Sequence, residues 1–260
     1  MSASEDQIWR IAQLTTMSPD DLAELLYDDP AKAAPWLEAC AAAGLPEAQV
    51  RLGRMLLAGE GVAKDQAAAL KCFEAAADAG DIDALNMMGR CLEMGWGVAI
   101  DLERAAHCYA EAAEAGHAWA QYNFGHLWLN GQGVKRDPRA AFDWYMRAAA
   151  QGHARAMNLV GRCFEEAWGV ARNADAALLW YGRSAAGGSF RGCYNFASAL
   201  AQSGCALGAD YWFKRALATA PEPTRALMRA RPPTHHPAML SNAASTVSGR
   251  LNTAAKVSAG

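Results

Sequence analysis

Five glycines, Gly44, Gly80, Gly116, Gly152 and Gly188, recur at intervals of 36 residues. A period of that size leaves few architectures open, because each unit is one supersecondary element that must stack on the next. Other columns keep the same phase: Ala48, Ala84, Ala120, Ala156 and Gly192, then Gly53, Gly89, Gly125, Gly161 and Ala197. Four loop tetrads follow, Gly59-Glu-Gly-Val62, Gly95-Trp-Gly-Val98, Gly131-Gln-Gly-Val134 and Ala167-Trp-Gly-Val170. Next come Asp65, Asp101, Asp137 and Asn173, and each unit closes on a pair: Cys72-Phe73, Cys108-Tyr109, Trp144-Tyr145 and Trp180-Tyr181. With 60 alanines and 23 glycines, the side chains are too small for a wide β-sandwich core and suit closely spaced helices.

Each column reads as part of a helical hairpin. The small residues at the 48 and 53 positions sit on a first helix, where a second helix crosses closely. Glycine in the tetrad accepts the positive φ that ends a helix, and its valine drops back between the helices. Asp or Asn then caps the second helix by accepting from its orphan amides. Asp137-Pro138 is the strongest such start, since proline at the first helical position has no amide to lose. The aromatic pair, with the alanines near 76, 112 and 148, gives the second helix an apolar stripe. One hairpin cannot cover that stripe alone, so the expectation is an all-α stack of antiparallel helix hairpins.

The expected organisation has capping helices over 1–43. Five repeats follow at 44–79, 80–115, 116–151, 152–187 and 188–220, and then a basic tail at 221–260. Ser18-Pro19-Asp20-Asp21 reads as a helix start, while Asp29-Pro30 and Trp36-Leu37 fall on the cap and aromatic columns. After Pro221, Pro, Ser, Thr, Ala and Gly dominate, which reads as largely flexible chain. That tail carries Arg225, Arg229, Arg231, Arg250 and Lys256 against Glu222. Its charge of +4 leaves −7 for the preceding 220 residues, given the overall −3. An acidic body argues against nucleic acid as a partner, although the tail is able to fold back onto it.

Hydrophobic residues at 52% with 20% charged exclude wholesale disorder. No apolar run approaches the length of a membrane span. The N-terminal Met1-Ser-Ala-Ser-Glu-Asp-Gln7 lacks the basic and apolar regions of a secretory signal. With seven cysteines, an odd number, this points to a reducing cytoplasm.

The run Ala118-Trp-Ala-Gln-Tyr-Asn-Phe-Gly125, with Gly131-Gln-Gly-Val134, Ala141, Trp144-Tyr145 and Gly152-His153, resembles the Sel1-like repeat, a subclass of tetratricopeptide-like helical hairpins. The resemblance covers about residues 44–219. It implies a right-handed α-solenoid with a concave groove that holds a protein or peptide. It also implies which first-helix positions face that groove. One row is Arg54, Arg90, His126, Arg162 and Ser198, and a second is Val50, Asn86, Tyr122, Asn158 and Tyr194. Asp83, Trp119, Arg155 and Arg191 flank the helix starts, and Glu93, Glu165 and Glu166 the ends. The expected groove is therefore Arg54, Asn86, Arg90, Trp119, Tyr122, His126, Arg155, Asn158, Arg162 and Tyr194, with Arg90, Tyr122, His126 and Arg162 at its centre. Guanidinium groups there are suited to carboxylate or phosphate, and the aromatics to flat apolar contact. Alternatively, Arg90 with Glu93 and Arg162 with Glu165, spaced i,i+3, neutralise each other.

Neither a metal nor a cofactor is expected. No C-x-x-C occurs, and no Cys/His set has zinc spacing. Cys91 and Cys163 share one helix column and read as small buried hydrophobes. His235-His236 lies in the tail, and His117 and His153 only follow boundary glycines. The glycines at 95 and 97 follow a helix rather than a strand, which fails the dinucleotide context. A hydrolase like that suggested for cysteine-rich relatives would want Ser-x-x-Lys, and no lysine here has a serine three residues before it. The disulfide pattern of those relatives is missing too, since Cys40 would face Ala48. The expectation is a non-enzymatic scaffold or adaptor, with a dedicated inhibitor or immunity protein as the alternative among binders and a hydrolase as the alternative among enzymes.

Overall fold

The computed structural model describes residues 3–14, 16–18, 20, 25 and 29–233. Among them are thirteen helices and no strand: α1 (Ala3–Leu14), α2 (Pro30–Ala42), α3 (Pro46–Ala58), α4 (Gln66–Asp78), α5 (Ile82–Met94), α6 (Leu102–Glu114), α7 (Ala118–Asn130), α8 (Pro138–Ala150), α9 (Ala154–Glu166), α10 (Ala174–Ala186), α11 (Phe190–Gln202), α12 (Ala206–Thr219) and α13 (Glu222–Ala230). Pro19 and Asp21 of the expected early helix start, and the tail from 234 onward with His235-His236, lie outside the described residues. The chain forms two compact units, Met1–Asp137 and Pro138–Gly260. Within each, consecutive helices reverse direction and pack on their neighbours.

Local chemistry sets the helix ends. Asp65 accepts from the Ala68 amide at 2.9 Å, Asp101 from Arg104 at 3.0 Å and Asn173 from Ala176 at 3.0 Å, which satisfies orphan donors of α4, α6 and α10. The first helices are capped as well, α5 by Asp81 at 2.8 Å and α11 by Ser189 at 3.2 Å. Their other ends close on the first tetrad residue in the left-handed region, with φ 75° at Gly59, 71° at Gly95 and 57° at Ala167. Ala167 is the only non-glycine with positive φ among the described residues.

The hairpin is held by a ring lying on a glycine. A Cβ added at Gly89 would sit 2.7 Å from the Tyr109 ring, and one at Gly161 2.6 Å from the Tyr181 ring. Gly53 meets Phe73 in the same way. The rings of Phe73, Tyr109, Tyr145 and Tyr181 are enclosed, whereas Trp144 and Trp180 are half-buried and lie under Arg147 and Arg183, 4.4 and 4.7 Å from the ring centres. The core therefore takes the second member of each aromatic pair. The second tetrad glycine has its own reason: a side chain at Gly97 would collide with the Gln66 carbonyl at the start of α4. That contact locks one repeat to the one before it.

The ends add variations. At the start, Trp9 meets Trp36 at 6.2 Å with Arg10 over the same ring, docking α1 on α2. At the other end, composition predicts flexible chain from Pro221, but residues 222–230 form a helix. Pro223 falls in its first turn, where proline starts a helix instead of breaking it. Met228 is buried with Cys193, Ala216 and Ala220 and covers the last hairpin.

Two substitutions separate steric from conformational causes. Gly161→Ala is expected to destabilise the protein by about 1–3 kcal/mol through overpacking against Tyr181. Ala167→Gly is expected to stabilise it by about 1 kcal/mol by relieving the left-handed strain. Both are read from chemical denaturation midpoints.

Candidate functional site

In the first unit α3, α5 and α7 are the first helices of successive hairpins. Arg54 is exposed and forms an ion pair with Asp83 on the next first helix. Asp83 Oδ1 also lies 3.6 Å from His117 Nε2, while His117 Nδ1 accepts from the Ala120 amide at 3.2 Å and caps α7. A capping nitrogen must be unprotonated. Burial lowers the His117 pKa, with the Arg54 charge adding to the shift and Asp83 and Asp81 opposing it. His153 caps α9 in the same way in the second unit. The boundary histidines thus start helices, a role that the N-cap position itself signals.

Asn86 and Asn158 were expected on the groove, yet both are buried at 4% exposure. The Asn86 side-chain carbonyl accepts from Asn123 Nδ2 at 2.9 Å, and that of Asn158 from Asn195 Nδ2 at 2.8 Å. These amides bridge successive first helices, and a buried amide left without such a partner would be costly. Their partners escape a reading by columns because each lies one position off the 36-residue phase.

The i,i+3 pairings of arginine with glutamate do not close. Glu93 accepts from the Tyr109 hydroxyl at 2.7 Å and Glu165 from the Tyr181 hydroxyl at 2.5 Å. Burial and these carboxylates push both tyrosine pKa values up. Arg90 instead lies over the Trp96 ring at 5.1 Å, with Nη1 3.8 Å from Met87 Sδ, and Arg162 lies over the Trp168 ring at 4.5 Å. Trp96 and Trp168 are the tetrad tryptophans, which column reading treats only as loop. Next to these arginines, the Cys91 and Cys163 thiols are buried and pushed up to about 11 and about 12, too high for thiolate chemistry near neutrality.

Three of the expected contact residues come together on α7. Trp119, 43% exposed, meets Tyr122 edge-on at 6.0 Å, and Tyr122 meets His126 at 4.7 Å. In the second unit Arg155 is exposed. Tyr194 is half-buried beside Phe213 and donates its hydroxyl to the Arg231 carbonyl at 2.7 Å, just past α13. Among the described residues there is no cluster of three or more metal-ligating side chains, and no helix is long and apolar enough to cross a membrane.

The Sel1 repeat profile matches residues 46–81, 82–117, 120–153 and 154–189. A Sel1 repeat protein from Oxalobacter formigenes is 30% identical, with a TM-score of 0.72 over 83% of this chain and 96% of its own. The c5321 protective antigen of uropathogenic Escherichia coli, which displays an SLR fold, is 24% identical with a TM-score of 0.65. This chain is covered over 83% of its length in that comparison and spans 46% of c5321. The Pseudomonas aeruginosa immunity protein Pa5087 is 18% identical with a TM-score of 0.51, over 91% of this chain and 86% of its own, a likeness of fold alone. No curated protein sequence matches this chain.

The histidine cap gives a pH signature. Because the His117 pKa is lower folded than unfolded, the unfolded chain takes up the proton more readily. The stability contributed by His117 is full above the ordinary imidazole range near pH 6.5 and declines as pH falls through that range towards the lower folded value. His117→Asn keeps a good cap without a titrating group. Thermal unfolding compared at pH 7.5 and 5.5 is expected to show a smaller acid loss in the variant than in the wild type.

Proposed function

The chain belongs to the Sel1 repeat family, and from that premise we propose that it is a non-enzymatic adaptor whose first-helix face docks a polypeptide partner. Sel1 repeat proteins generally mediate protein–protein interaction, so the family supports the broad reading. The observation that carries the specific one is the edge-on row Trp119, Tyr122 and His126 on α7, with its outermost ring 43% exposed. An aromatic left open beside polar neighbours is the usual composition of an interface centre. The row is held in place by the capped start of α7 and by the Asn123–Asn86 bridge beneath it. Its geometry is therefore set before the partner arrives, and little ordering entropy is lost on this side of the complex.

A photo-cross-linking residue at Trp119 is expected to trap a discrete partner from native lysate. The same residue at Lys71, exposed on α4, is expected not to. With that partner purified, Trp119→Ala and Tyr122→Ala are each expected to weaken binding about 30-fold, the loss of a central aromatic contact worth about 2 kcal/mol. Equal trapping at both positions, or unchanged affinity in both variants, refutes the assignment.

A further inference from the structure

The arginine row does not treat its three charges alike. Arg54 is neutralised within the chain, by the Asp83 carboxylate from the start of the next first helix. The register that places Asp83 opposite Arg54 places Trp119 opposite Arg90 in the first unit and Arg191 opposite Arg162 in the second. Neither of these residues is an acid. Among the described residues, neither Arg90 nor Arg162 forms an ion pair. The acids three positions on, Glu93 and Glu165, are turned to tyrosine hydroxyls. Each guanidinium instead lies over a tetrad tryptophan ring, a cation–π contact that leaves N–H donors for an acceptor, beyond the Arg90 Nη1 that meets Met87 Sδ. The tryptophans that do this occur in those two tetrads, whereas the first tetrad carries Glu60 at that position.

From this contrast we infer that Arg90 with Trp96 in the first unit, and Arg162 with Trp168 in the second, are each a clamp for a side-chain carboxylate of an acidic polypeptide partner, taking from it what Asp83 supplies to Arg54. The inference rests on the docking role of the first-helix face and specifies the chemistry of what docks there. A singly charged carboxylate fits better than a phosphate, because Glu93 and Glu165 stand beside the clamps and a dianion would meet them twice over. Stacking also orients each guanidinium before binding, so a bidentate contact forms with less loss of side-chain freedom.

The full-length chain is titrated with capped tetraglutamate, with tetraglutamine as the uncharged control. Binding is followed at the assigned arginine Nε–Hε signals by nuclear magnetic resonance. Saturable shifts are expected at Arg90 and Arg162 with tetraglutamate only, while Arg54 stays silent because Asp83 already holds it. Arg191→Asp, which supplies the second clamp with an internal acid, is expected to weaken the Arg162 response at least fivefold and to leave Arg90 unchanged. Asp83→Asn is expected to make Arg54 respond. An Arg54 response equal to that of Arg90 in the wild type, an Arg162 response untouched by Arg191→Asp, or equal shifts with tetraglutamine would each overturn the clamps. So would a tetrapeptide of phosphoserine binding tenfold more tightly than tetraglutamate. Failure here with partner binding still lost in Trp119→Ala removes the clamps alone. Partner binding untouched in Trp119→Ala and Tyr122→Ala removes the docking role itself.

Discussion

A tyrosine or phenylalanine ring resting on a helix backbone is the contact from which this structure is assembled. Gly53, Gly89 and Gly161 have no side chain because the rings of Phe73, Tyr109 and Tyr181 occupy that space. The ring brings the second helix within van der Waals range of the first along its glycine face. The rest of the first helix inherits its position from that approach. Arg54, Arg90 and Arg162 each follow a contact glycine by one residue, about 100° around the helix, so that packing also sets the direction in which they project. The two tyrosines do more than fill space, since their hydroxyls emerge beside Glu93 and Glu165 and hold those carboxylates.

That dependence explains which parts were legible in the sequence. Columns repeating at 36 residues carry the scaffold, and they foretold the helices, the Asp65, Asp101 and Asn173 caps and the crossing glycines, because each is satisfied inside one repeat. Features that join one repeat to the next were hidden. Asn86 reads as a groove residue until Asn123, 37 positions on, is seen to donate to it. Arg90 and Glu93 look like a helical ion pair because spacing along one helix says nothing of Tyr109 or Trp96, which come from a second helix and a loop respectively. The helix at 222–230 was missed for a different reason. Its stability comes from Met228 burying itself against the last hairpin, and a short polar segment shows no such support in its own composition.

Beneath the 36-residue period runs a second one of twice its length. Asn86 and Asn158, Arg90 and Arg162, Glu93 and Glu165, Trp96 and Trp168, Tyr122 and Tyr194, and Asn123 and Asn195 are all 72 residues apart. Their geometry repeats along with their identity, as the two asparagine bridges, the two Arg–Trp stacks and the two Tyr–Glu bonds show. The polar chemistry of the first helices is thus organised by pairs of hairpins, while their packing is organised singly.

The two periods have different physical sources. Packing between helices must be solved in every hairpin, because each one exposes the same apolar stripe and any unfilled crossing leaves a void. Polar groups at the seams need only be satisfied, and one bridge of buried amides per pair of hairpins is enough to meet that demand. The neighbouring hairpin supplies only the donor, Asn123 or Asn195, one position along, which leaves the acceptor column of the intervening hairpins to Val50 and Tyr122 and the arginine column of the second to His126. Alternation of this kind leaves an aromatic row on α7 and, on α5, an arginine that forms no ion pair among the described residues. The proposed docking of a partner would draw selectivity from the charge and affinity from the half-exposed ring, without loosening the glycine–ring contacts that hold the stack.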